Sequence, residues 1–235
     1  MEDKLKLTNH IDKKNNQFTS SVKNELNDLT QFSEQALEWL MMEHYQFSFN
    51  NTRFLHEAML KTSQFKEAGV VLELQRNLEE EKSHAAIYKN ALKEIGTNVE
   101  TRLTFDPTRD FFAKIKILIS ACPSGTLGTM YATETAAIFE HEVFWRISRD
   151  VMNRRNLTWE KSRLKLFHDM HLSGVEQGHK DGLGVFVDMA HNDHTVDENS
   201  IEESKVIAGA ELAIDAMVAW WRAMLDQARK MSIVQ

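Results

Sequence analysis

The sequence is poor in the two residues that most often end helices. It has two prolines and nine glycines among 235 residues, well below the average use of about 5% and about 7%. A fold made of β-strands needs a turn rich in Gly or Pro after nearly every strand, so this scarcity argues against that class. Apolar residues recur instead at helical spacing through most of the chain, as they do in helices that pack into a bundle. We therefore predict an all-α protein.

The periodicity predicts seven helices and no internal repeat. They lie at about 19–63 (two helices), 64–95, 109–121, 126–154, 159–190 and 201–231. Asn50 and Asn51 favour a break near residues 48–52, and Thr158 is a suitable cap for the sixth helix. We expect residues 1–16 to be frayed, residues 17–235 to form one domain, and a polar loop at 192–200.

Charge and cysteine content exclude several classes of function. The chain has 28 Lys and Arg against 35 Asp and Glu, a net charge of −7, which argues against a nucleic-acid partner. A single cysteine excludes an intramolecular disulfide and any zinc or iron–sulfur site built on cysteine. The sequence shows no apolar run of about 18 residues and no hydrophobic leader. We expect a cytoplasmic protein that does not bind membranes.

Two Glu-x-x-His motifs are the strongest functional signal. Glu81 and His84 form the first, and Glu176 and His179 form the second, with His171 two turns before His179. Residues three apart share one face of a helix, and helical bundles that bind two irons use this spacing on facing helices. The alternatives are a solvated charge run at residues 79–82 and surface histidines on a polar helix. Two such motifs on separate helices favour a metal site over both.

A third helix is predicted to supply a carboxylate. Glu134 lies in a stretch of Ala, Thr and Ile, where an ionised group needs a strong partner if it is buried. Glu140 and Glu142 are the rivals, although they flank His141 in a segment that looks exposed. Oxygen and nitrogen ligands without sulfur suit iron or manganese better than a closed zinc site.

These motifs resemble those of a known superfamily. The sequence is similar to haem-oxygenase-like diiron oxidases, specifically the CADD-like branch, in three segments: Asn77 to His84, Gly128 to Glu134, and Phe167 to His179. The resemblance covers about residues 30–190. It implies a single seven-helix haem-oxygenase-like bundle (the TenA/PqqC-like fold) that forms a homodimer. It also implies a non-haem diiron site that activates O2, with substrates among small carboxylic acids and amino acids.

One position departs from the pattern of this superfamily. Its third motif reads His-x3-Asp-x2-His, but the fourth residue after His171 is Val175, which cannot bind a metal. Glu176 comes one residue later, and His179 follows it at the expected interval. A π-bulge accommodates one inserted residue in a helix, and Gly174 and Gly178 would ease the distortion. We therefore predict a π-bulge in this helix.

The resemblance completes a set of expected site residues. Glu81, Glu134 and His171 would hold one Fe(II), and His84, Glu176 and His179 the other, with one iron or manganese as the alternatives. A weaker expectation places a substrate pocket at four residues that core packing also explains: Trp39, His44, Tyr45 and His168. The chain is thus expected to be an iron-dependent oxidoreductase that acts on O2 and a small molecule. Its alternatives are a non-catalytic interaction protein with a degenerate site and a cofactorless enzyme of the TenA/PqqC type.

Overall fold

The computed structural model describes residues 6–191 and 199–233. Nine α-helical segments and no β-strand occur in these two ranges. They are α1 (Leu7–Glu25), α2 (Glu34–Thr62), α3 (Ala68–Glu81), α4 (His84–Glu94), α5 (Asp106–Ala121), α6 (Pro123–Arg154), α7 (Arg163–Met170), α8 (Glu176–Asp188) and α9 (Glu203–Ile233). Two residues separate α3 from α4, and a π-helical turn (His171–Val175) joins α7 to α8. These pairs are two interrupted helices, so the prediction of an all-α bundle of seven helices is confirmed.

Local sequence signals fix several helix starts. The hydroxyl oxygen of Ser33 accepts from the backbone N–H of Ala36 at the start of α2, at 3.2 Å. Ser162 caps α7 in the same way through the N–H of Lys165, at 3.1 Å. Such caps satisfy backbone donors that the first helical turn leaves free. The predicted cap at Thr158 is therefore wrong, because the helix begins four residues after Trp159.

The amino-terminal segment is helical where we expected it to be frayed. From Leu7 onward it forms α1, in which Ile11 and Asn15 are fully buried. The Asn15 side-chain amide donates to the backbone oxygen of Ala132 in α6, at 2.9 Å. This buried anchor explains why the polar segment packs on the bundle. Residues 1–5 lie outside the described ranges.

Two other predicted boundaries are wrong. Residues 48–52 do not break the second helix, because the Asn50 amide donates to the backbone oxygen of Gln46 within α2, at 2.8 Å. The predicted helix over 64–95 is instead divided between α3 and α4 at Lys82 and Ser83. Most of the predicted loop at 192–200 lies outside the described residues.

Helix α6 runs through the centre of the bundle and packs against α1, α2, α5, α7, α8 and α9. Its contact with α9 is a close backbone approach. A Cβ added at Gly128 would lie 2.0 Å from the backbone oxygen of Val206, and one at Gly209 would lie 2.1 Å from that of Gly125. Within the described ranges, none of the helices has an apolar run long enough to cross a bilayer.

We expect Gly128→Ala to lower the free energy of unfolding by about 2–3 kcal/mol, because the new methyl group must push two backbones apart. Chemical denaturation of the purified variant measures the change. A variant as stable as the wild type would mean that α6 and α9 lie further apart than described.

Candidate metal centre

The structure brings all six predicted ligands into the interior of the bundle. Each is at most 6% exposed, and they come from three places: Glu81 and His84 at the α3–α4 break, Glu134 on α6, and His171, Glu176 and His179 on the α7–α8 helix. Carboxylates are almost never buried to this extent without a partner. Their convergence from three helices therefore requires an explanation beyond packing.

The first group of ligands forms where α3 gives way to α4. Glu81 is the last residue of α3, and His84 is the first residue of α4. The His84 Nδ1 atom lies 2.9 Å from Glu81 Oε1 and 3.0 Å from His171 Nε2. The break between the helices thus aims a carboxylate and two imidazoles at one point.

The second group gathers around His179. Its Nδ1 atom lies 3.3 Å from Glu134 Oε2 and 3.6 Å from Glu176 Oε2. One ligand atom each of Glu81, Glu176 and His179 also lie within 4.8 Å of one another. Glu81 and Glu176 therefore stand between the two groups, where a bridging carboxylate would lie.

This geometry divides the ligands differently from the expected assignment. We expected Glu81, Glu134 and His171 around one metal. The structure instead places His84 beside Glu81 and His171, and it places Glu134 beside His179.

The inserted residue is absorbed by a π-helical turn. Residues His171–Val175 form this turn, and Gly174 within it has φ 113° and ψ 0°. The predicted π-bulge is confirmed. The wider turn compensates for the extra residue, so Glu176 points inward at 4% exposure while Val175 is only half-buried. Glu176 thus supplies the inward-facing carboxylate that Val175 cannot supply.

Surrounding groups hold two of the imidazoles in fixed orientations. The Nδ1 atom of His171 is 2.7 Å from the backbone oxygen of Phe167. It must donate a proton there, so Nε2 carries the lone pair that faces the site. The Nε2 atom of His179 lies 2.8 Å from Glu80 Oε2. A carboxylate behind a histidine in this way fixes the ring orientation and raises the basicity of the other nitrogen.

Arg76 holds Glu80 in place. Its Nη1 atom lies 2.9 Å from Glu80 Oε1, and its Nη2 atom donates to the backbone oxygen of Gly178 at 3.2 Å. The guanidinium thereby ties α3 to the start of α8. This contact keeps the Glu80 carboxylate next to the His179 ring.

The local electrostatics favour a bound cation. Burial, reinforced by the neighbouring Glu134 and Glu81, raises the pKa of Glu176 to about 7. Burial alone would lower the pKa of His179, but Glu134 and Glu176 outweigh it and raise the value to about 11. The His171 pKa falls to about 4 because the charged ring would be desolvated. Crowded carboxylates thus draw positive charge into the site, and divalent cations would supply it.

Two buried atoms in the cluster are ready to bind a ligand. Glu81 Oε1 and His179 Nδ1 are shielded from solvent. Their polar neighbours are other candidate ligands, His84 Nδ1 at 2.9 Å from the first atom and Glu134 Oε2 at 3.3 Å from the second. The donor set of carboxylate oxygens and imidazole nitrogens also suits iron or manganese. The residues present therefore fit a pair of such ions.

The four expected pocket residues make separate contacts in the bundle. His44 is buried and stacks on Phe144 at 3.9 Å between ring centroids. His168 is fully buried, with Nδ1 3.4 Å from His141 Nδ1. Tyr45 packs near the Tyr88 ring, and Trp39 packs edge-on against Phe105. A substrate pocket at these residues stays a prediction.

Sequence reasoning misjudged the segment after Glu134. We expected Glu140, His141 and Glu142 to be exposed, but Glu140 and His141 are 2% and 5% exposed. Glu142 is exposed and pairs with Lys23. The reason is that α6 is central, so neighbouring helices cover most of its faces. The spacing offered a signal: His141 follows Glu134 by seven residues, about two turns along the same face.

Burial keeps two histidines of this region neutral. It lowers the pKa of His168 to about 3 and that of His141 well below the usual value. The Glu140 pKa rises to about 8 for the same reason, although its Oε1 atom accepts from the indole N–H of Trp221 at 3.0 Å.

Comparisons with known proteins place the fold. No protein-family model matches the chain, and no curated protein matches its sequence. A CADD-like protein of unknown function from Nostoc punctiforme PCC 73102 is 24% identical, with a TM-score of 0.77 over 94% of this chain and 98% of its own. A domain of unknown function with a heme oxygenase-like fold from Shewanella denitrificans OS217 is 13% identical, with a TM-score of 0.68 over 93% and 92%. The protein therefore has a haem-oxygenase-like fold, as predicted.

Gly174 and Gly178 of the α7–α8 helix form a matched pair for substitution. An added Cβ would meet nothing within 4 Å at Gly174 or Gly178, but only Gly174 has a positive φ. We expect Gly174→Ala to lower the free energy of unfolding by about 1–3 kcal/mol, because its backbone conformation is strained for other residues. Gly178→Ala should be neutral or stabilising by up to about 1 kcal/mol. Equal effects in chemical denaturation would argue against the π-helical turn.

Proposed function

We propose that this protein is a non-haem diiron oxidase or oxygenase that activates O2. The observation that carries the proposal is the convergence of Glu81, His84, Glu134, His171, Glu176 and His179 in the interior. Two imidazole-containing groups lie on either side of two carboxylates, as a pair of metal ions with bridging ligands requires.

The chain's own residues would prepare the site for this chemistry. When bound, a pair of ferrous ions supplies two electrons to O2. Glu80 and the Phe167 carbonyl hold the His179 and His171 rings at fixed angles. The bundle shields the ligands from water, which would protect reactive oxygen species from side reactions. Glu81, Glu134 and Glu176 together carry three negative charges when ionised, close to the four positive charges of two ferrous ions.

The substrate class follows from the resemblance described above. We propose a small carboxylic acid or an amino-acid-like compound. Packed aromatic rings make the surroundings of the ligands apolar: Tyr88 and Phe167 stack at 4.5 Å, and Phe167 lies 4.4 Å from the His171 ring.

The alternative of a degenerate, non-catalytic site was based on a single residue, and the structure weakens that argument. That residue was Val175, which has no ligand atom at a ligand position. Since the π-helical turn brings Glu176 inward instead, the ligand set does not lack this carboxylate. A cofactorless enzyme has no evident use for so many buried carboxylates and imidazoles.

Substitutions at the adjacent residues Val175 and Glu176 test the role of the π-helical turn. Anaerobic addition of Fe(II) should load up to two ions per wild-type chain, and exposure to air should then consume O2. Glu176→Ala should lose about one iron per chain and most O2 consumption, because it removes a carboxylate between the two groups. Val175→Ala is the control and should keep both. Iron analysis and an oxygen electrode measure these quantities, and unchanged loading in Glu176→Ala would contradict the proposed centre.

Two carboxylates of α6 test the ligand register. Glu134→Gln should weaken binding of at least one Fe(II) by about 10-fold or more, because the amide keeps the shape but not the charge. Glu142→Gln is the matched control on the exposed face and should bind iron like the wild type. Equilibrium dialysis under anaerobic conditions measures both affinities. Loss of iron from the Glu142 variant alone would mean that α6 is placed in the wrong register.

A further inference from the structure

A seventh side chain, that of His141, also faces the cluster. Its Nε2 atom lies 3.6 Å from Glu176 Oε1, and its ring stacks on His171 at 3.8 Å between centroids with the planes 13° apart. Ligand atoms of His141, His171 and Glu176 all lie within 4.8 Å of one another. The imidazole is therefore in reach of a cation that those two residues bind.

The hydrogen bonds behind His141 are compatible with an unprotonated Nε2, the state in which this nitrogen can bind a metal. When the Ser148 hydroxyl donates to the Met41 sulfur at 3.3 Å, its oxygen accepts from His168 Nε2 at 3.1 Å. The neutral His168 ring then has an unprotonated Nδ1, which accepts from His141 Nδ1 at 3.4 Å. In this tautomer the single N–H of His141 is on Nδ1, and Nε2 carries the lone pair that a metal ion needs.

The Nε2 atom of His141 lies close to two other candidate ligand atoms. Glu176 Oε1 lies 3.6 Å from His141 Nε2 and 3.8 Å from His171 Nε2. The His171 nitrogen also carries a lone pair, since its Nδ1 donates to the Phe167 carbonyl. Three electron-rich atoms thus lie within 4.8 Å of one another in the protein interior. A shared cation would turn this repulsion into attraction.

We propose that His141 is a further metal ligand, on the ion that His171 and Glu176 also bind. The inference rests on the proposed function, but it goes beyond the six ligands on which that function is based. It also predicts an asymmetric centre. His171 has one free nitrogen and can therefore bind only one ion. That ion would then be bound by three imidazoles, those of His84, His141 and His171. The other ion would have His179 and Glu134.

Metal titration of His141 variants tests the assignment. Co(II) is the probe, with binding followed by calorimetry and visible absorption under anaerobic conditions. His141→Phe keeps a ring against His171 but removes both nitrogens, so it should bind one Co(II) like the wild type and the second at least about 10-fold more weakly. His56→Phe makes the same change on the exposed face of α2 and should leave both sites intact.

Chemical rescue separates a ligand from a packing residue. His141→Ala should lose the same Co(II) site, and millimolar imidazole should restore it by supplying the missing nitrogen. A benzene-sized additive fills the space without a nitrogen and should not restore it. Rescue by both compounds would indicate a packing role and overturn the assignment.

The wild-type protein supplies a measurement that does not depend on a variant's folding. Each histidine bound to Co(II) retains one ring N–H, whose NMR signal is strongly shifted. Four such exchangeable signals are expected, from His84, His141, His171 and His179, and three would overturn the assignment.

Failure of the assignment and failure of the proposed function look different. Two tight Co(II) sites in both His141 variants would remove His141 from the ligand set and leave the diiron proposal standing. A wild-type protein that binds no Co(II) or Fe(II) would contradict both.

Discussion

The burial of three carboxylates inside a helical bundle is the constraint on which the rest of this structure depends. Glu81, Glu134 and Glu176 are each at most 5% exposed, and removing an ionised carboxylate from water costs several kcal/mol unless it is compensated. His179 offers one positive charge against them. The metal-free interior therefore carries a surplus of negative charge, which makes cation binding favourable and ties occupancy of the site to the stability of the fold.

Both interruptions in the helical framework lie at this cluster. The α3–α4 break lets Glu81 and His84 come from the ends of two segments, and the π-helical turn lets His171 and Glu176 face the same interior point. Local distortion of a regular helix is typical of functional sites. By contrast α6, which carries Glu134, is continuous for 32 residues.

The sequence predicted the helical class and the residues that converge in the interior more reliably than the helix boundaries. Spacing selected both Glu-x-x-His motifs, and the departure of Val175 from the motif of the resembled superfamily predicted the π-helical turn. Boundaries failed where tertiary contacts overrode local preference, as for Asn50 in α2 and for Asn15, whose amide binds the α6 backbone. His141 was missed because the charged residues around it look exposed, and only the packing of α6 shows that it is buried.

Anomalous X-ray scattering at the iron edge, from crystals of the protein loaded anaerobically with Fe(II), tests the central claim most directly. We expect two anomalous peaks, one among Glu81, His84 and His171 and one beside Glu134 and His179, with Glu176 between them. Iron peaks confined to the protein surface, or a cluster free of anomalous density at saturating Fe(II), would contradict it.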